Sequence, residues 1–61
     1  MKVREIIKII EKDGWILKRS KGSHQQFKHQ TKSGTVTIAG HERDELHPKT
    51  ASSILKQAGL K

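Results

Sequence analysis

The sequence predicts an α+β fold of order α-β-β-β-α: a three-stranded antiparallel sheet with two helices on one face. Three observations carry this expectation. Each end of the chain has apolar residues at helical spacing, the middle has short alternating runs, and glycine-containing turns separate those runs. Turns that short join antiparallel neighbours, because a parallel crossover needs a dozen or more residues. Two apolar helix stripes must both be covered, and one apolar sheet face can cover both.

The first helix is read from Val3, Ile6, Ile7 and Ile10, the i, i+3, i+4, i+7 pattern. Charged residues from Lys2 to Lys12 fill its other face, and Gly14 is its expected stop. Trp15 to Arg19 reads as the first strand, Ser20 to Ser23 as its turn, and His24 to His29 as the second strand. Thr31 to Gly34 is a second turn. Thr35 to Ala39 alternates, with Val36 and Ile38 on one face and both threonines on the other. After a polar loop over 40–45, Pro48 suits the first position of a second helix. Ala51, Ile54, Leu55 and Ala58 form that helix's apolar stripe, and Gly59 follows as a stop. Phe27, Val36 and Ile38 are the expected apolar sheet face, which leaves the opposite face open to solvent. Trp15 is expected in the core or at its rim.

Sixty-one residues are expected to make one domain, 1–61, with a small core. The absence of cysteine removes disulfides and thiolate metal sites and fits a reducing cytosol. Charges interrupt the apolar residues of the first helix, so it is neither a signal peptide nor a membrane span, and no membrane partner is expected. The net charge is +7, and its distribution is uneven. Residues 14 to 41 contain no Asp or Glu but contain Lys18, Arg19, Lys21, Lys28 and Lys32. A phosphate chain is the partner such a surface implies.

His24 lies inside that basic stretch, directly after Gly22-Ser23. In an extended strand His24, Gln26 and Lys28 share a face opposite Phe27, so they belong to the open side with Thr35 and Thr37. An imidazole there can remove a 2′-OH proton or protonate a leaving oxygen near neutral pH. Lys18, Arg19, Lys21 and Lys28 would hold phosphate, and the Gly22-Ser23 amides could add contacts. From composition and spacing, His24 reads also as an ordinary polar residue at a strand start. His24 and His29 are expected on opposite faces, and His29 shares the Phe27 side as a packing residue. His41 and His47 lie in or beside a loop without chelating spacing, so no metal site is expected. Gly22 alone is no phosphate loop, and no cofactor or small-molecule ligand is expected.

Gly22-Ser23-His24 leading to Phe27 resembles the signature of the HicA-type toxins, mRNA interferases of bacterial HicAB toxin–antitoxin systems. Val3-Arg4-Glu5-Ile6-Ile7, Gly14-Trp15, Val36-Thr37-Ile38, Glu45-Leu46-His47-Pro48 and Ser53 to Leu60 match as well, in order along nearly the whole chain. The resemblance implies a fold like a double-stranded-RNA-binding domain. It implies ribosome-independent mRNA cleavage in the cytoplasm, with the family's catalytic histidine on His24 and a HicB-type antitoxin covering the active face. The chain departs from the pattern at Gln25 and Gln26, where many members carry a second histidine or a basic residue, and in the acidic run Glu42-Arg43-Asp44-Glu45. A non-catalytic RNA-binding module is the alternative reading, since such domains read RNA shape and 2′-OH groups without a catalytic histidine.

Overall fold

The computed structural model describes residues 1–61. The order is α1 (Val3–Lys12), β1 (Ile16–Lys21), β2 (His24–Lys28), β3 (Val36–Ala39) and α2 (Pro48–Gln57). The strands form one antiparallel sheet in the order β1-β2-β3. Val3, Ile6 and Ile10 of α1, Ala51 and Ile54 of α2, and Ala58 just beyond it share one buried cluster with Trp15, Phe27, Val36 and Ile38. Both helices therefore cover the sheet face that carries Phe27, Val36 and Ile38. No polar or charged residue is buried.

Helix α1 ends where Gly14 takes a φ of 108°, a region that disfavours a side chain. There Gly14 N donates to Glu11 O at 3.0 Å and Trp15 N to Ile10 O at 3.1 Å, which satisfies two carbonyls left over by the helix. Glycine is needed here for space as well, since a Cβ would lie 2.8 Å from His29 Nε2. At the other end of α1 the acidic run finds its place. Val3 N donates to Asp44 O and Arg4 N to Glu42 O, and the Glu5 carboxylate accepts from Lys2 N at 2.8 Å. The main-chain carbonyls of Glu42 and Asp44 thus satisfy two free amides of the first turn, and the Glu5 carboxylate there is favoured by the helix dipole.

The strand boundaries differ from the sequence expectation. β1 begins at Ile16 and runs on to Lys21, so Ser20 and Lys21 belong to the strand and the turn shrinks to Gly22-Ser23. Ser20 and Lys21 have little strand propensity of their own; their pairing with Gln25 and His24 decides it. Gly22 has a φ of 58° and Ser23 does not have a positive φ, the pattern of a type II′ hairpin turn with glycine first. β3 begins at Val36, so Thr35 lies outside the strand and only Thr37 of the two threonines is paired into the sheet.

His47 precedes α2 as its N-cap, its Nδ1 accepting from Lys49 N at 3.1 Å, and Pro48 is the first helical residue. Trp15 is buried, and its indole Nε1 donates to Ala58 O at 3.3 Å, tying the end of α1 to the end of α2. His29 stands just beyond β2. Its Nε2 meets Asp13 O at 2.7 Å, while its Nδ1 accepts from the amides of Thr31 (3.0 Å) and Lys32 (3.1 Å). With Nδ1 accepting from two main-chain amides, Nε2 is the ring nitrogen that donates to Asp13 O, so the side chain is a post between the two loops. It also meets Trp15 edge-on, with ring centres 5.2 Å apart.

Candidate nucleic-acid interface

Residues paired directly across an antiparallel ladder share a face. The register is Ile16↔Lys28, Leu17↔Phe27, Arg19↔Gln26, Ser20↔Gln25 and Lys21↔His24, with a shift between Leu17 and Arg19. On the other side, His24 pairs with Ala39 and Gln26 with Thr37. Phe27 is buried beneath the helices. The opposite face therefore carries Ile16, Arg19 and Lys21 from β1, His24, Gln26 and Lys28 from β2, and Thr37 and Ala39 from β3. All of these are exposed.

The register shift makes Lys18 a bulged residue. In an unbroken strand Lys18 and Arg19 would point to opposite faces. The bulge inserts one residue and re-phases the alternation, so that Ile16, Lys18, Arg19 and Lys21 all address the open side. The surroundings agree: Lys18 shares a depression with Ile16, Lys28, His29 and Gln30. Four cations thus occupy one face with no carboxylate among them. None of the four takes part in an ion pair.

His24 sits beside Gly22-Ser23 in an open basin of about 260 Å³ lined by Arg19, Lys21, His24 and Gln26. The arrangement sets one imidazole between two cations on a surface free of acids, with room for a phosphodiester. All the residues expected to form the site, Lys18, Arg19, Lys21, Gly22, Ser23, His24, Gln26 and Lys28, lie on this face or at the hairpin that ends it.

Lys32 behaves differently from the other cations of the acid-free stretch. Its Nζ donates to Asp13 Oδ2 at 2.6 Å and to Ala58 O at 3.1 Å, so it staples the ends of the two helices. The hydrogen bond from Lys32 holds the Asp13 carboxyl below its usual value of 3.8, against the opposing effect of its partial desolvation. Lys32 is a structural cation.

A larger cleft of about 380 Å³ lies behind the sheet, between α1 and β1, lined by Arg4, Ile7, Lys8, Glu11, Leu17, Gln25, Phe27 and Glu42. Its two cations face two acids, so it has no net attraction for phosphate, and it is separated from His24 by the sheet. His, Asp and Glu side chains gather nowhere into a group of three that could hold a metal ion. Sequence reasoning missed the bulge, for which Lys18-Arg19 gives no local signal, and a groove along β3 described below.

The comparisons with known proteins agree with the fold. The family model for the HicA toxin of bacterial toxin–antitoxin systems matches residues 3–60. A solved structure described as a toxin–antitoxin complex from Streptococcus pneumoniae contains a similar chain. It is 38% identical, superposes with a TM-score of 0.80, and the match covers 98% of each chain. Among curated protein sequences, none matches this chain.

Proposed function

The chain belongs to the HicA toxin family of bacterial toxin–antitoxin systems, and we propose that it is an endoribonuclease that cuts mRNA with His24 as the proton-transferring group. The observation that carries this reading is the position of His24 beside Lys21 and Arg19 on an acid-free face with four unpaired cations. The imidazole removes the proton of a ribose 2′-OH, and the freed oxygen attacks the adjacent phosphorus. The bond to the 5′-oxygen breaks, and that oxygen takes up a proton, which leaves a 2′,3′-cyclic phosphate and a 5′-hydroxyl. Arg19 and Lys21 face the charge that grows on the phosphoryl oxygens, where preorganised cations act most strongly. Lys18 and Lys28 hold the backbone further along the strand, and Gln26 and the Gly22-Ser23 turn complete the contact surface.

No metal ion enters this scheme; it rests on the imidazole of His24, the guanidinium of Arg19 and the lysine ammonium groups. The enzyme acts in the cytoplasm on mRNA, and a HicB-type antitoxin silences it by covering the His24 face. No helix of the chain is long and apolar enough to cross a membrane.

The test is cleavage of 5′-labelled RNA by purified protein in EDTA, with His24→Ala beside it. Removing an acid–base group costs on the order of 10² to 10⁴ in rate. His24 is exposed, so the variant should keep its fold and lose cleavage. A folded His24→Ala protein that still cuts at the original rate excludes the assignment. A wild-type protein that binds RNA without cutting it is the non-catalytic RNA-binding module instead.

A further inference from the structure

A second groove, of about 340 Å³, opens beside the His24 face. It is lined by Thr37 and Ala39 of β3 and by Lys49, Thr50, Ser53, Ile54 and Gln57 of α2. Ile54 is buried and forms its floor. Lys49, Ser53 and Gln57 are four residues apart, so they form one stripe along α2 with Thr50 beside it. Thr37, Thr50, Ser53 and Gln57 are all exposed. The groove and the His24 basin are lined by cross-strand partners. Ala39 is the cross-strand partner of His24, and Thr37 that of Gln26. Neighbouring strands lie about 4.8 Å apart, so the groove begins roughly one strand spacing from the imidazole.

The two depressions differ in chemistry. The basin beside His24 carries Arg19 and Lys21, groups that attract phosphate. The groove has one cation, Lys49, against three hydroxyls and one carboxamide. Hydroxyls and carboxamides can both donate and accept, which suits base edges, whereas phosphate offers acceptors only. β3 is an edge strand, so its outward backbone donors and acceptors add to this set. Single-stranded RNA is read through hydrogen bonds to splayed bases.

We propose that this groove between β3 and α2 is the base-reading site, where Thr50, Ser53 and Gln57 select the nucleotide next to the phosphate held at His24. The proposal rests on the reading of the His24 face as an RNA site. It assigns sequence selection to α2 and chemistry to β2.

The experiment compares wild-type protein with the Thr50→Ala, Ser53→Ala, Gln57→Ala triple variant on an RNA pool randomised around one position, with the new ends sequenced. All three positions are exposed and helical, where alanine is well tolerated, and far-UV circular dichroism checks the fold. The expected result is a base preference next to the cut in the wild type that weakens by about 2- to 10-fold for each hydrogen bond lost. Lys8→Ala, in the cleft behind the sheet, should keep the wild-type preference. An unchanged preference in the triple variant overturns the proposal. So does a triple variant that loses affinity for the antitoxin while its base preference stays intact, because the groove would then be a protein-docking surface. If the wild type cuts no RNA, the function proposed above fails. The groove is then judged by binding selection from the same pool with the His24→Ala protein. Enrichment that the three alanines abolish supports base reading, and enrichment that survives them overturns it.

Discussion

The open sheet face makes a quantitative prediction about salt. Four cations, Lys18, Arg19, Lys21 and Lys28, point to one side without carboxylate partners. If each neutralises one phosphate of a single strand, log K should fall against log salt with a slope near ~2.8, at roughly 0.7 per contact. Between 50 and 200 mM salt that corresponds to a loss of about 50-fold in affinity. Fluorescence anisotropy of a short labelled RNA, titrated with His24→Ala protein to prevent cleavage, measures the slope. Arg19→Ala, Lys21→Ala and Lys28→Ala should each lower it by roughly 0.7. Lys18→Ala should do the same only because the bulge turns its side chain to the open face. Lys32→Ala should leave the slope unchanged, since Lys32 is held by Asp13 and Ala58 O. A normal slope in Lys18→Ala beside a reduced one in Arg19→Ala would refute the re-phasing by the bulge. A reduced slope in Lys32→Ala would move the RNA off this face altogether.

Gly14→Ala should destabilise the fold by about 1–3 kcal/mol, because a side chain at φ 108° is strained and its Cβ would press on His29 Nε2; chemical denaturation checks this. Asp13 should make stability pH-dependent at the acid end. Its carboxyl titrates lower in the folded chain than the usual 3.8, so the stabilisation is full above that value and is lost as pH falls through the folded one. Urea midpoints between pH 2 and 7 should show this decline, and Asp13→Asn should flatten it. Antitoxin binding should protect the amides of residues 20 to 29 from hydrogen exchange; full inhibition with those amides unprotected would rule out direct occlusion of His24.

The helices were legible because their information is local. Val3, Ile6 and Ile10 are spaced for one buried face, and Gly14, Pro48 and Gly59 mark ends through backbone preferences that need no partner. Alternation alone also placed His24, Gln26 and Lys28 opposite Phe27. The strand ends were less legible. Ser20 and Lys21 join β1 through pairing with β2, and Thr35 falls outside β3, because cross-strand hydrogen bonds rather than propensity set those boundaries.

The sequence by itself determined the order of elements, the core, the acid-free cationic stretch and the face on which His24 lies. All of these follow from periodicity and from which charges are present. Only the tertiary structure decided what each cation does. Lys18 and Lys32 look alike in sequence, yet a bulge turns one toward the open face and a carboxylate on α1 captures the other. The groove between β3 and α2 has the same origin. Thr37 and Ser53 are far apart in the chain, and only the packing of α2 against the sheet brings them to one surface beside His24.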